Sequence, residues 1–452
     1  MLETGQTLKF SDLIFLIVYA LVCIGIGLWS SRKQNEEDYL IAGRTLRTAG
    51  FIASVVASYI GGAAIVAYTA FVYEFGISAI TLFLGTAVGF LMFIPYAMKI
   101  HDFSSEKRFH TLSDYYFFKF NKKAGVLSAI ILLVVYFGML LNQFIAGSSI
   151  LSIISGWSYE SSLFISGTVI LFYLLAGGFS SVIKTDVFQY VVLILLFVLI
   201  LILFKPSQAE AHMHLFSLEK MNPLMTVVFF VFGVFIVFQS AEYWQRVYAA
   251  GDKKVVRQGL RGSALLVIIS GFVLSFVGLI AQHYVKDILS SHAFAAGLQQ
   301  LISDRWLGAG LVLIFAAIMS SADTIIFVLA SSMAKDFSAA DKKQIFPALM
   351  KKTRFFILLY GVAGMGLAFF FRDIIEVFKF ITGLGFSIIP SLIGSFHFKL
   401  KSMAVVASLL SGIFYVLILM LAGVLIAEAA VGSVLVATIV LVLFQRFDKK
   451  TV

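Results

Sequence analysis

The chain has 452 residues, 60% of them apolar and only 13% charged, with a mean hydropathy of +0.99. A soluble protein of this length needs far more polar surface, so composition excludes that class and points to a polytopic membrane protein. Lys and Arg outnumber Asp and Glu by 34 to 24, an excess that would suggest nucleic acid in a soluble protein but reports topology in a membrane protein.

Spans of about twenty apolar residues begin near Ser11, Ala49, Gly76, Ala124, Ser161, Val187, Leu224, Gly262, Gly308, Phe355, Ile374, Met403 and Ala429, thirteen in all. The first, 11–30, is too long for a signal-peptide core and has basic residues after it, so it reads as a retained span. It carries the single cysteine, Cys23, which rules out a disulfide framework and suggests no cysteine metal site. With the N-terminus outside, most basic residues fall in inside segments: 31–48, 99–123, Lys184, 246–261, 335–354, 399–401 and the C-terminal "QRFDKKTV". That bias is what the positive-inside rule requires. The expectation is an integral protein of a bacterial cytoplasmic (inner) membrane, with the N-terminus outside and the C-terminus inside. The longest hydrophilic stretches, such as His101–Lys123 and Tyr284–Trp306, read as loops or short interfacial helices. The "HMH" at His212–His214 reads as a solvated loop.

Three places put polar groups or helix-weakening residues at membrane depth, where an ionisable side chain costs about 2.5–3.5 kcal/mol on insertion scales. The second span, "IASVVASYIGGAAIVAYTAF" (52–71), has Gly61-Gly62 at its middle. Each Gly weakens a helix by about 1 kcal/mol relative to Ala, and a broken span is tolerated only where it lines a cavity. Free carbonyls there suit a cation and free N–H groups an anionic substrate group; close helix packing is the alternative. In "AGGFSSVIKTDVFQ" (176–189), a short inside turn, Asp186 enters the membrane beside Thr185. A lone Asp there is most often a partner of the helix dipole. The ninth span carries "IMSSADTIIFVLASS" (318–332). Ser320, about 18 Å along the span at 1.5 Å per residue, shares one helix face with Asp323 and Thr324, and Ser321 lies beside it. Hydroxyls, a carboxylate and carbonyls are hard oxygen ligands suited to Na⁺. A packing face of small residues is the alternative. Ser331 and Ser332 have no ion role.

As a set, five stretches resemble the sodium/solute symporter family, whose sugar, proline, pantothenate and sialic acid carriers share a leucine-transporter-type fold. They are "DYLIAGRTL", "ASYIGGAAIVAYTAFVYEFG", "GGFSSVIKTDVFQ", "WQRVYAAGDKK" and "MSSADTIIFVLASSMAKDF", spread from Asp38 to Phe337. The resemblance implies an all-α polytopic protein with two inverted five-helix repeats and a broken first repeat helix. Its layout would be 1–48 (N-terminal helix and inner loop), 49–204 (first repeat), 205–223 (outer loop), 224–398 (second repeat) and 399–452 (two C-terminal helices and tail). It also implies a main Na⁺ site made by the carbonyls of Ala57, Ile60 and Ala317 with the hydroxyls of Ser320 and Ser321. Some members hold a second Na⁺, here matching Asp186, Asp323 and Thr324.

The function expected is a Na⁺-coupled symporter importing a small organic solute by alternating access, with the bilayer, Na⁺ and the solute as its partners. The stretch Phe230–Gln239, nearly all apolar, would leave sugar hydroxyls unpaired at about 1–3 kcal/mol each, which disfavours sugars. Candidate solute contacts are Tyr59, Gly61, Gly62, Tyr68, Asn142, Gln143, Gln239 and Glu242. An amino acid or other small organic acid, its carboxylate on the Gly61-Gly62 break, is the expected cargo. The alternatives are a proton-coupled symporter using Asp186 or Asp323 and a non-transporting solute sensor. No nucleophile, phosphate loop or His/Cys constellation points to an enzyme.

Overall fold

The computed structural model describes residues 10–30, 35–203, 220–301, 307–337 and 346–447; His212 and His214 lie outside them. Backbone polar groups in lipid must be satisfied within the segment, which makes helix the solution for a chain this apolar. In chain order the helices are α1 (Phe10–Ser30), α2 (Glu36–Ile41), α3 (Thr48–Tyr59), α4 (Gly62–Phe75), α5 (Thr81–Lys107), α6 (Leu112–Lys119), α7 (Lys122–Ser155), α8 (Tyr159–Leu203), α9 (Pro223–Gln239) and α10 (Ala241–Ala249). There follow α11 (Lys253–Tyr284), α12 (Ala293–Leu301), α13 (Leu307–Asp336), α14 (Phe346–Phe370), α15 (Ile374–Phe386), α16 (Ile389–His397), α17 (Ser402–Leu421) and α18 (Ala427–Phe447). Polar residues cap the starts, as the orphan N–H groups of a first turn require. Asn35 and Thr111 form capping boxes with Asp38 and Asp114, and Asn121, Asn222 and Asp252 cap α7, α9 and α11.

Among the described residues nine helices are long and apolar enough to cross a membrane, or ten if the pair α9–α10, bent by 48°, is one span. A shorter apolar helix, α3 (Thr48–Tyr59), precedes α4. The thirteen expected spans do not map one to one onto this count of the described residues, in which the second span is broken at Gly61 and Gly62–Lys107 runs together as one. Burial separates centre from periphery: the apolar window of Ala316–Asp336 is 94% buried and that of Ala427–Arg446 only 22%. Outward side chains such as Ile202, Phe370 and Leu421 are large and apolar, as a lipid-facing surface requires. Where α5 crosses α9, a Cβ on Gly85 would lie 2.1 Å from the Phe230 carbonyl oxygen and one on Gly233 2.2 Å from that of Leu82. Small residues let these backbones touch.

The segment joining α2 to α3 is sewn onto the end of α10. Leu46 N–H donates to the Ala249 carbonyl (2.9 Å), and Gly251 N–H donates to that of Leu46 (3.1 Å). Beside it Arg44 reaches Glu37 (3.0 Å) and the carbonyls of Phe109 (3.0 Å) and Tyr248 (3.4 Å). His110 and Arg44 hold the Glu37 carboxyl down at about 2, so Glu37 is ionised at neutral pH.

Candidate ion and solute site

The second expected span is two helices. α3 ends at Tyr59, Ile60 leaves helical geometry (φ −91°, ψ 54°), and Gly61 is extended before α4 begins at Gly62. The last four carbonyls of a helix have no intrahelical donor, and here α13 supplies two. Ser320 Oγ donates to the Ala57 carbonyl (2.8 Å) and to that of Ala317 (3.1 Å), while Ser321 Oγ donates to the Ser58 carbonyl (2.9 Å). Ala57, Ile60, Ala317, Ser320 and Ser321 are all buried. The structure therefore brings Ala57, Ala317 and both serines together as a dry, neutral, all-oxygen cluster, with Ile60 at the end of the same helix. Such a donor set fits Na⁺: the hydroxyls can turn their lone pairs inward and carbonyl oxygens need no deprotonation.

The break is packed as well as broken. A Cβ on Gly61 would fall 1.9 Å from Ser321 Oγ, and one on Gly62 2.2 Å from the Ile318 side chain. Gly61→Ala is therefore expected to push Ser321 off the Ser58 carbonyl. The cost expected from overpacking is about 1–3 kcal/mol, read as a weaker Na⁺-induced rise in melting temperature; an unchanged rise would show that the close contact is not needed. On the open side Ala63 N–H, an orphan of the first turn of α4, donates to Gln143 Oε1 (3.1 Å).

The second expected ion group has a resident cation. Arg246, assigned by its charge to an inner loop, is fully buried and pairs with fully buried Asp186 at 2.9 Å. Its Nη2 also donates to Ser58 Oγ and Thr324 Oγ1 (both 2.9 Å), its Nε to Ser54 Oγ (2.9 Å), and Nη1 to the Glu242 carbonyl (3.3 Å). Ser54 Oγ in turn donates to Asp186 Oδ2 (2.5 Å), and the guanidinium lies 5.3 Å from the Phe179 ring centre. Asp186 sits two turns beyond the kink at Gly178 (φ 64°), so its partner is Arg246 and not a helix N-terminus. Thr324 joins that network. Asp323 turns elsewhere: its Oδ2 accepts from Thr185 Oγ1 (3.3 Å) and its Oδ1 from Thr324 N–H (2.6 Å). Sequence reasoning missed Arg246, Ser54 and Ser58. The available signal was the i, i+4 spacing of the two serines on α3, together with an arginine set in the apolar surroundings of "YWQRVYAA".

Next to both groups is a cavity of about 100 Å³ lined by α3, α4, α5, α7, α9, α10, α13 and α15. Tyr59, Tyr68, Asn142, Gln143 and Glu242 line it; Gly61, Gly62 and Gln239 do not. The Gln239 side chain instead lies against Gly385. The bend between Gln239 and Ala241 was not foreseen, and it is what turns Glu242 into the cavity at the first turn of α10.

Comparison with known proteins bears on these features. A sodium/glucose cotransporter of Vibrio parahaemolyticus is 28% identical over 194 residues, 42% of this chain and 35% of that one. A sodium/proline symporter of Staphylococcus aureus is 27% identical over 191 residues, 40% of this chain and 37% of that one. The matched stretches thus span little more than a third of those relatives' length. In fold, a Na⁺-coupled sialic acid symporter solved in a substrate-bound, outward-open state superposes with a TM-score of 0.83 at 16% identity, covering 97% of both chains. A nucleobase-cation-symport-1 family transporter in a closed conformation gives 0.56 at 13% identity, covering 91% of this chain and 96% of that one. The sodium:solute symporter family model matches residues 39–366, the stretch that holds both helix breaks and every polar group of the site, and the chain is a membrane-embedded member of the sodium:solute symporter family.

Proposed function

We propose that the chain is a Na⁺-coupled symporter that moves a small organic solute by alternating access. The observation that carries this reading is the pair of serine hydroxyls on α13 capping the orphan carbonyls at the broken end of α3. A Na⁺ held there ties two separate helices, so it favours the arrangement in which they meet and the solute cavity beside them is formed. Coupling of this kind is typically worth about 1–3 kcal/mol. The two broken pairs, α3–α4 and α9–α10, support reading 49–204 and 224–398 as inverted repeats, since repeats carry their breaks at corresponding positions. In the orientation with the N-terminus outside, the Arg44 junction closes the inner side.

One Na⁺ per chain is proposed rather than two. Arg246 already supplies the positive charge that Asp186 needs, through a pair 2.9 Å apart, so Na⁺ has no call on that carboxylate while the arginine stays. The expected result is saturation of purified full-length protein by one radioactive Na⁺, with NaCl but not KCl raising the melting temperature at fixed pH. Two bound Na⁺ would return the Asp186 site; indifference to Na⁺ would end the sodium reading.

A further inference from the structure

The cavity's own polar groups bear on what the solute carries, an inference that rests on this cavity being the transport site. Most of them are already engaged. Tyr59 Oη pairs with Thr86 Oγ1 (2.8 Å), Tyr68 Oη with Ser275 Oγ (2.6 Å), and Ser240 Oγ donates to the Ile236 carbonyl (2.7 Å). Gln143 Oε1 accepts from Ala63 N–H, and Thr324 Oγ1 accepts from Arg246. Two groups stand apart. Glu242 is 5% exposed and its Oε2 has no hydrogen-bond partner; Asn142 is 1% exposed and neither its Oδ1 nor its Nδ2 has one. Buried polar atoms are rarely left unpaired unless something else completes them.

The charge of that ligand follows from the lining. Among the described residues that line the cavity Glu242 is the one Asp or Glu, and none is Lys, Arg or His. It lies in the first turn of α10, where the helix dipole offsets part of the cost of burying a carboxylate. A carboxylate on the solute would meet this anion. At the α4 end the Ala63 N–H that could receive a carboxylate already donates to Gln143 Oε1. The remaining wall is aromatic: Phe83 packs on Tyr59 and Tyr68 with ring centres 5.3 and 4.3 Å away, and Phe232 stacks on Phe378 at 5.4 Å. Such a wall accepts both an apolar body and a cation. An apolar cavity of about 150 Å³ holds benzene, so a volume near 100 Å³ suits a body smaller than a six-membered ring.

We propose that the solute is a small organic amine, bound protonated. Its N–H groups donate to Glu242 Oε2 and to the Asn142 amide oxygen, and its short alkyl body lies against the aromatic wall. This replaces the expectation of an organic acid held at the glycine break.

The test is a thermal-shift series on the purified full-length protein with NaCl or KCl, using shape-matched probes: isobutylamine, isobutanol, isovalerate and the zwitterion proline. The amine alone should stabilise at millimolar concentration. Stabilisation by the carboxylate or by proline without the amine, or by none of the four, overturns the proposal. Stabilisation by the amine equally in KCl leaves the amine site standing and fails the Na⁺-symport reading instead. Glu242→Gln should weaken amine binding by at least about tenfold, with Na⁺ binding on the same sample as the check of folding; unchanged amine affinity would also overturn it. Should that variant not fold, Asn142→Ala is read in the same way, and the wild-type series decides without either.

Discussion

Replacing both Ser320 and Ser321 with Ala is expected to abolish Na⁺-induced stabilisation while leaving the protein folded. Each hydroxyl meets a carbonyl at the broken end of α3, at 2.8 and 2.9 Å, and each is a first-rank oxygen for a cation. A hydrogen-bonding contact with a charged partner is worth about 1.5–3 kcal/mol, against about 1 kcal/mol for the neutral bond lost from the ion-free protein. Each serine should therefore cost about two- to thirtyfold in Na⁺ affinity, and the pair up to about a thousandfold. The reading is radioactive Na⁺ binding beside the melting temperature in KCl. Retained affinity would move the ion elsewhere; a melting temperature that collapses in KCl would make the serines structural staples.

Arg246→Ala should be the most damaging single change to stability. It leaves Asp186 buried and charged with only Ser54 to answer it. Breaking a buried pair by removing one partner typically costs about 3–5 kcal/mol, whereas removing both charges costs far less. The double variant Asp186→Asn with Arg246→Ala should accordingly recover much of the loss. Melting temperature and yield of folded protein from membranes report this directly, and equal instability of single and double variants would refute it. In Arg246→Ala, Na⁺ should also stabilise more than in the wild type, because the position opposite Asp186 is then open to a cation.

Much of the fold was legible in the chain because hydrophobic spans and basic loops obey simple local energetics. The break near Gly61-Gly62 was visible for the same reason, since paired glycines weaken a helix wherever they stand. The bend at Ser240 was not: its surroundings, "FIVFQSAE", contain no Gly or Pro, yet Ser240 leaves helical geometry (ψ 104°) with its Oγ bonded back to the Ile236 carbonyl. Arg246 shows the same limit from the side of charge. Counted among loop residues it agreed with the topology, yet in the fold its charge is neutralised in the core.

By itself, then, the sequence determined the membrane class, the helical architecture and the short polar runs where function concentrates, because each depends on residues within a turn or a span of one another. Only the tertiary structure decided which of these groups meet. Ser320 and Ser321 reach Ala57 and Ser58 across 263 residues of chain, and Asp186 finds Arg246 60 residues away. In the same way Ser321 and Ile318 pack against the Cβ side of Gly61 and Gly62, while Asn142 and Glu242 come together at one cavity. Desolvation in a shared interior selects those partners, and it acts on neighbours in space that composition and spacing do not encode.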